Sequence, residues 1–160
     1  MNRARILVVD DDESIREVFK MNLETQGYIV ETAATGKEAI DKISSEFYNL
    51  ALIDIRLPDI DGIDVLSAIE DTNPMLIKII VTGFPTRKNA IDAVNKGADG
   101  YLLKPVKMDK LLEVVEKHLK KQRKYRELDR EKSELYDISN RELKSQLRFY
   151  EPIGKTNSLT

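Results

Sequence analysis

The chain has 160 residues, of which 41% are hydrophobic and 34% are charged, and its formal net charge is −2. This length suits one domain of ordinary size with an extension, and the absence of cysteine excludes disulfides, thiolate metal sites and cysteine nucleophiles. Residues 1–105 hold 12 Lys/Arg against 18 Asp/Glu, whereas residues 106–160 hold 14 against 10, which indicates two segments with different roles.

The first predicted elements are a strand, a helix and a second strand. Arg5–Val9 is a short apolar run typical of a buried strand. Ser14 and Glu17 form a capping box that opens a helix to about residue 26, where Gly27 ends it. Asp12 is interpreted as the residue that begins this helix, where its charge favours the helix dipole. Tyr28–Thr32 then alternates in polarity, as a half-buried strand does.

A second helix, a third strand and a third helix follow. Thr35 and Glu38 cap a helix that runs through about residue 45. Leu50–Ile53 is an apolar run without alternation, as expected of a central strand that is buried on both faces. Gly62 leads into a helix that we expect to end before Pro74.

Two further strands and two further helices are predicted beyond this point. Leu76–Val81 is the fourth strand, and a helix over Arg87–Lys96 stops at Gly97. Tyr101–Leu103 is the fifth strand, and another helix begins near Met108.

Five strands that alternate with five helices predict one α/β domain. Connections of this length between parallel strands are right-handed crossovers, which place helices on both faces of one sheet. We therefore expect a doubly wound, five-stranded parallel sheet of the flavodoxin-like kind, with strand order 2-1-3-4-5 and a C-terminal helical extension.

Polar residues stand at the ends of four predicted strands. Asp10 and Asp11 follow the first strand, Asp54 the third, Thr82 the fourth and Lys104 the fifth. Ligands of such sheets bind beyond the carboxyl ends of the strands, so these side chains should share one crevice. Clustered carboxylates suit Mg²⁺, and lysine and threonine suit a phosphate. Asp54 is then either a third metal ligand or a nucleophile that forms an aspartyl phosphate.

Four motifs carry a resemblance to a known family, namely ILVVDDDESIR, LIDIRLPDIDG, IIVTG and GADGYLLKP. Over about residues 5–119 the chain resembles the receiver domain of bacterial and archaeal two-component response regulators. The resemblance implies that Asp54 is the phosphoacceptor and that Asp10 and Asp11 bind Mg²⁺ with Asp54 and the backbone carbonyl of Arg56. It also implies a sensor histidine kinase or a phosphotransfer protein as the partner that donates the phosphoryl group.

The same resemblance implies roles for residues around the acceptor. Thr82 would contact the phosphoryl group, Lys104 would pair with it, and the peptide bond between Lys104 and Pro105 would be cis. Tyr101 would be an aromatic residue that moves between exposed and buried positions as Thr82 approaches the phosphoryl group. Phosphorylation would thereby bias an existing two-state equilibrium.

Arg56 and Phe84 stand two residues after the acceptor and two after Thr82, positions that in this family tune how readily water reaches the phosphoryl group. An arginine and a phenylalanine there should hinder water, so we expect slow loss of phosphate. The protein would be a switch and not an enzyme, assisting only its own phosphorylation and dephosphorylation. The alternative is a hydrolase with an aspartyl-phosphate intermediate, but haloacid-dehalogenase-like phosphatases carry a second Asp where this chain has Arg56.

The last third of the chain predicts a long helix. No glycine or proline occurs between Lys107 and Glu151, so nothing in that stretch breaks a helix that continues from the last one of the domain. A further capping box, Ser139 with Glu142, indicates that this helix breaks and restarts there.

We divide the chain into a receiver domain at 1–119, a helical extension or linker at 120–150 and a flexible tail at 151–160. Apolar residues in the extension are sparse, which leaves open whether it forms a coiled coil. A homodimer through the final receiver helix and the extension is one expected contact. The basic run Lys117–Arg126 more often marks a solvated helix face than a nucleic-acid site, so we expect no nucleic-acid partner.

The segment Glu151–Leu159, EPIGKTNSL, also resembles the opening of the ATPase domain that follows receivers in enhancer-binding transcription activators. This short resemblance implies an alternative, in which the chain is the receiver and linker of such an activator without its output domains. Under this alternative the predicted fold and the predicted site residues are the same.

Targeting signals are the last feature that the sequence addresses. The apolar run near the N-terminus is too short for a signal peptide, and no stretch approaches the roughly 18 apolar residues of a membrane span. The lack of cysteine fits a reducing compartment. We therefore expect a cytoplasmic protein with no membrane partner.

Overall fold

The computed structural model describes residues 3–148, and these residues fall into two compact units that divide between Lys120 and Lys121. The strands are β1 (Arg5–Val9), β2 (Ile29–Ala33), β3 (Leu50–Ile53), β4 (Ile77–Thr82) and β5 (Gly100–Leu103). The helices are α1 (Glu13–Thr25), α2 (Gly36–Ser45), α3 (Gly62–Ile69), α4 (Arg87–Asn95) and α5 (Met108–Leu147). The predicted flexible tail at 151–160, with its resemblance to an ATPase domain, lies outside the described residues.

The first unit is one parallel sheet with strand order β2-β1-β3-β4-β5, and every neighbouring pair of strands is parallel. This confirms the predicted doubly wound topology. Strand β3 is buried at all four positions, and so is every residue of β4. The carboxyl ends of the central strands therefore meet at one edge of a sheet that is covered on both faces.

Alternate strand residues supply two separate hydrophobic cores, one on each face of the sheet. On one face, strand residues such as Leu7 and Ile53 pack with buried residues of α2, α3 and α4. On the other face, residues such as Val8 and Leu52 pack with buried residues of α1 and of the first part of α5. Because neighbouring side chains of a strand point to opposite faces, four consecutive apolar residues serve both cores.

The start of α1 agrees with the interpretation of Asp12 and contradicts the capping box predicted at Ser14. Asp12, not Ser14, caps this helix, because its backbone is extended and its carboxylate accepts a hydrogen bond from the backbone N–H of Ile15 at 3.2 Å. Ser14 already lies inside the first turn. The charge of an aspartate at this position also favours the helix dipole.

The end of α3 agrees with the prediction that this helix stops before Pro74. The helix ends at Ile69, and a turn follows in which the N–H of Thr72 donates to the carbonyl of Ile69 at 3.1 Å. The side-chain oxygen of Asn73 accepts from the N–H of Met75 at 3.0 Å. Local hydrogen bonds of this kind compete with the helix and end it before Pro74.

Helix α5 is continuous over 40 residues, so the predicted break at Ser139 and Glu142 is wrong. A capping box needs an extended N-cap residue, and here the helix passes through Ser139. Within the second unit, residues 121–147 form a single helix that exposes most of its large apolar side chains, and Leu135 is 67% exposed. No helix within residues 3–148 is long and apolar enough to cross a membrane.

A cluster of polar side chains lies at the start of β1, at the opposite end of this strand from Asp10. The guanidinium of Arg5 donates to Glu31 at 2.6 Å and also to Glu46, and it lies over the ring of Tyr48. The hydroxyl of Tyr48 donates to Glu31 at 2.7 Å. This hydrogen bond is the main reason that the pKa of Glu31 lies below its ordinary value.

We predict that Glu31→Gln lowers the free energy of unfolding at neutral pH by about 1 kcal/mol, the usual contribution of a hydrogen bond. A lowered pKa in the folded state contributes stability above the unfolded pKa and loses it as the pH falls through the folded pKa. The difference from the wild type should therefore shrink as the pH falls below the ordinary pKa of a glutamate carboxyl. Urea unfolding at a series of pH values measures it.

The control is Glu24→Gln. Glu24 is exposed, and its carboxylate makes a long contact, 3.9 Å, with the ammonium of Lys20. Such surface pairs contribute little. A Glu31→Gln difference that stays constant on acidification would contradict the assigned cause.

Candidate functional site

The carboxyl ends of β1, β3, β4 and β5 bring the sequence-predicted polar residues into one crevice. Asp10 follows β1, Asp54 follows β3, Thr82 ends β4 and Lys104 follows β5. Asp10, Asp54 and Thr82 are buried, with exposed fractions of 3%, 6% and 0%. Buried polar groups need partners, so the geometry of these contacts determines what the site can do.

Three carboxylates converge at this edge. Asp10, Asp11 and Asp54 each offer an oxygen atom, and these atoms lie within 4.8 Å of one another. Asp10 and Asp54 are buried, whereas Asp11 is exposed. Carboxylates this close repel one another unless a cation lies between them.

The ammonium of Lys104 supplies part of that positive charge. Its Nζ lies 2.5 Å from Oδ2 of Asp10 and 3.1 Å from Oδ2 of Asp54. Burial lowers the pKa of Lys104, but the hydrogen bonds to Asp10 and Asp54 outweigh burial, and the net shift is upward. Burial raises the pKa of Asp10, and the hydrogen bond from Lys104 offsets this rise only in part. The lysine therefore stays charged, and its single positive charge faces three carboxylates.

One oxygen of Asp54 has no partner. Its Oδ1 atom is buried and accepts no hydrogen bond from any described residue. Leaving a carboxylate oxygen buried without a donor or cation is unfavourable. An oxygen-rich, negatively charged crevice with an unmatched carboxylate oxygen fits Mg²⁺, which prefers oxygen ligands.

The loop after β1 is held by contacts that the sequence did not indicate. The N–H of Asp12 donates to Oδ1 of Asp10 at 2.9 Å, so both oxygens of Asp10 are engaged. The guanidinium of Arg16 donates to the backbone carbonyl of Asp10 at 2.8 Å. Arg16 lies one turn after Asp12 in α1, and only the folded loop reveals that it reaches back to Asp10.

The hydroxyl of Thr82 is engaged by its own loop. Its Oγ1 accepts a hydrogen bond from the N–H of Phe84 at 3.1 Å. The guanidinium of Arg56 lies over the ring of Phe84, 3.5 Å from its centroid. Arg56 and Phe84, predicted separately from the sequence, therefore form one exposed stack that joins the loop after β3 to the loop after β4.

Tyr101 lies in β5 and packs against the core on the face of α2, α3 and α4. Its hydroxyl is buried and has no hydrogen-bond partner in the described part of the chain. Burial raises the pKa of this hydroxyl. The peptide bond between Lys104 and Pro105 is cis.

Gly62, the first residue of α3, lies very close to the backbone of Asp54. A Cβ atom at position 62 would lie 2.1 Å from the backbone carbonyl oxygen of Asp54. The N–H of Gly62 donates to the carbonyl of Ile55 at 2.7 Å. A glycine is therefore needed where the end of the loop returns to β3.

Comparisons with known proteins match this chain to a family model and to curated relatives. The family model described as the response regulator receiver domain matches residues 6–116. The transcriptional regulatory protein ZraR of Salmonella typhimurium is 38% identical over 114 residues, which are 71% of this chain and 26% of ZraR. The chain thus spans about a quarter of the length of that relative.

Solved structures agree in fold. A receiver domain protein (CheY-like) from Methanospirillum hungatei JF-1 is 44% identical, with a TM-score of 0.76, and the match covers 78% of this chain and 99% of that one. The response regulator TrrA of Thermotoga maritima, solved in complex with Mg(2+)-BeF, is 36% identical with a TM-score of 0.66, covering 72% of this chain and 98% of that one.

We predict that Gly62→Ala lowers the free energy of unfolding by about 1–3 kcal/mol, the usual cost of overpacking. Alanine is the better helix former by about 1 kcal/mol, so we assign a loss of stability to the close contacts with the backbone of Asp54 and Ile55. Urea unfolding is the measurement.

Gly83→Ala is the matched control, because a Cβ atom there would meet only the side chain of Lys104 at an ordinary 3.8 Å. Its effect should stay within about 0.5 kcal/mol. Equal losses from the two substitutions would refute the close approach as the cause.

Proposed function

The chain belongs to the response regulator receiver domain family, and we propose that it accepts a phosphoryl group on Asp54 from a sensor histidine kinase or a phosphotransfer protein. The observation that carries this proposal is the buried Oδ1 atom of Asp54, which has no partner among the described residues although the crevice around it is polar. An atom in this state is available to bind a cation or to attack phosphorus.

We assign the Mg²⁺ ligands as Asp10, Asp11, Asp54 and the backbone carbonyl of Arg56. The convergence of the three carboxylates supports this set, as does the Mg(2+)-BeF complex of the related TrrA. When bound, the ion offsets the charge that develops on the transferred phosphoryl oxygens.

The other roles in phosphoryl transfer belong to residues of the chain. A carboxylate oxygen of Asp54 attacks phosphorus, the bond from phosphorus to the donor nitrogen breaks, and that nitrogen keeps the electron pair. Lys104, already 3.1 Å from Asp54, stabilises the charge on the phosphoryl oxygens. Thr82 provides a hydroxyl to the phosphoryl group once the hydrogen bond from Phe84 is released.

Thr82 and Tyr101 are the proposed switch. The hydroxyl of Tyr101 is buried and has no hydrogen-bond partner among the described residues. Burying a polar group in this way costs free energy, so the inward position of the ring is unfavourable. Movement of Thr82 toward the phosphoryl group changes the space beside the ring, so phosphorylation shifts the balance between two ring positions. The chain is then a switch that assists only its own phosphorylation and dephosphorylation. The cytoplasmic location stays a prediction.

We predict that the chain incorporates one acid-labile phosphoryl group from acetyl phosphate with Mg²⁺, and that Asp54→Ala incorporates none. Chelation of Mg²⁺ by EDTA should abolish incorporation in the wild type. Intact-mass spectrometry measures it, and Asp64→Asn, which removes an exposed carboxylate from α3, is the control that should behave as the wild type. Incorporation by Asp54→Ala would overturn the assignment, and steady turnover of a phosphomonoester would favour the hydrolase.

The stack of Arg56 on Phe84 predicts slow loss of phosphate, because together these side chains hinder water. Arg56→Ala and Phe84→Ala should each shorten the phosphoryl half-life about threefold to fivefold, equivalent to ~0.5–1 kcal/mol for an exposed cation–π contact. The double variant should differ little from either single one, since the stack acts as a unit.

The half-life is measured by mass spectrometry after removal of the donor, with Lys88→Ala in the neighbouring helix as control. Effects of the two single variants that multiply in the double variant would show that the side chains act separately.

A second candidate function is that of the receiver and linker of an enhancer-binding transcription activator. The match to ZraR, a transcriptional regulatory protein, favours it. We place self-association in the helix at 121–147, where Leu128 and Leu135 are exposed by 46% and 67%. A long helix gains most of its stability from packing its apolar face, and a second copy supplies that packing.

Sedimentation of the full chain, with and without beryllofluoride plus Mg²⁺, tests this candidate. We expect dimers that Leu128→Glu combined with Leu135→Glu converts to monomers, whereas Ser133→Glu, on another part of the helix surface, leaves them intact. A wild-type monomer under both conditions would remove the support for self-association.

A further inference from the structure

The loop between β3 and α3 is anchored to a helix that takes no part in the proposed chemistry. The carboxylate of Asp59, in this loop, accepts hydrogen bonds from the first two N–H groups of α2. Its Oδ1 atom lies 2.8 Å from the nitrogen of Gly36, and its Oδ2 atom lies 2.8 Å from the nitrogen of Lys37. The donors at the start of a helix have no partner within it, so Asp59 supplies partners that α2 lacks.

Close packing reinforces this anchor. A Cβ atom at Gly36 would lie 2.3 Å from Cγ1 of Ile60 and 3.0 Å from a methyl group of Val65. The side chain of Ile60, the residue after Asp59, therefore packs directly against the backbone of α2. Hydrogen bonds from Lys37 and Gly36 lower the pKa of Asp59, so the carboxylate is favoured in its charged form.

The end of the same loop is fixed independently. The N–H of Gly62 donates to the carbonyl of Ile55, and the backbones of Gly62 and Asp54 are in close contact. Between these contacts the loop spans only residues 56–61. Within it, the carboxylate of Asp59 accepts two hydrogen bonds from the start of α2. Arg56, whose backbone carbonyl is the proposed fourth ligand, lies three residues before Asp59.

We propose that Asp59 is a positioning residue for the metal: by binding the start of α2 it holds the loop so that the carbonyl of Arg56 completes the carboxylate site. This inference rests on the proposed function. Residues that orient metal ligands without touching the metal commonly change metal affinity when they are replaced. Asp59 would act in this way through the backbone and not through a contact with the metal.

Thr35→Ala is a matched control for Asp59→Ala. Thr35 is the N-cap of α2, and its hydroxyl accepts from the N–H of Glu38 at 3.1 Å. Both substitutions remove capping from the same end of the same helix, but only Asp59→Ala cuts the link to the loop. Asp64→Asn is the control for charge, because it removes a carboxylate from α3 that makes no bond to α2.

The experiment is a calorimetric titration of the full chain with Mg²⁺, together with urea unfolding in EDTA. We expect Asp59→Ala to weaken Mg²⁺ binding roughly tenfold, whereas Thr35→Ala and Asp64→Asn change it less than about twofold. Asp59→Asn should be intermediate, because its amide offers one acceptor oxygen where the carboxylate offers two. Thr35→Ala and Asp59→Ala should both lower stability in EDTA.

Several results would overturn the inference. Wild-type affinity in Asp59→Ala would do so while leaving the proposed function intact, provided that the wild type still takes up a phosphoryl group. Equal weakening by Thr35→Ala would assign the effect to helix stability, and equal weakening by Asp64→Asn would assign it to charge. A wild type that binds no Mg²⁺ and takes up no phosphoryl group would overturn both proposals. If Asp59→Ala does not fold, the same comparisons with Thr35→Ala and Asp64→Asn are made with Asp59→Asn.

Discussion

One ammonium group shared by two buried carboxylates is the interaction on which this site depends. Asp10 and Asp54 end different strands, and Lys104 follows a third, so the three charges meet only because the strands are parallel and adjacent in the order β1, β3, β4, β5. Burial opposes each of these charges separately. Together they are tolerated, since the lysine offsets repulsion that would otherwise separate the strand ends.

A single lysine leaves the crevice with unmatched negative charge. Asp11 adds a third carboxylate, and Oδ1 of Asp54 accepts no hydrogen bond within residues 3–148. A cation and a phosphoryl group are both favoured by such surroundings, the first by the carboxylates and the second by the ammonium. The buried hydroxyls of Thr82 and Tyr101 lie on the neighbouring strands β4 and β5, which is why the proposed switch is placed there.

The loop that carries Arg56 is restrained at several points. Gly62 brings the start of α3 against Asp54, Asp59 binds the start of α2, and Arg56 lies on Phe84 of the next loop. These contacts reduce the conformations open to a segment that contains the proposed acceptor and a proposed metal ligand. Restraint of this kind lowers the entropic cost of binding an ion or of reaching a reactive geometry.

The sequence by itself determined the order of the sheet and the identity of Asp10, Asp54, Thr82 and Lys104 as neighbours, because hydrophobic periodicity, crossover handedness and the strand order of flavodoxin-like sheets are rules that need no atomic detail. Helix ends were less predictable: Asp12 caps α1 in place of Ser14, since capping depends on backbone angles. Only the tertiary structure decided the bonds of Asp59 to α2 and the approach of Gly62 to Asp54. These contacts depend on distances of a few ångströms between separate elements, which no local pattern specifies.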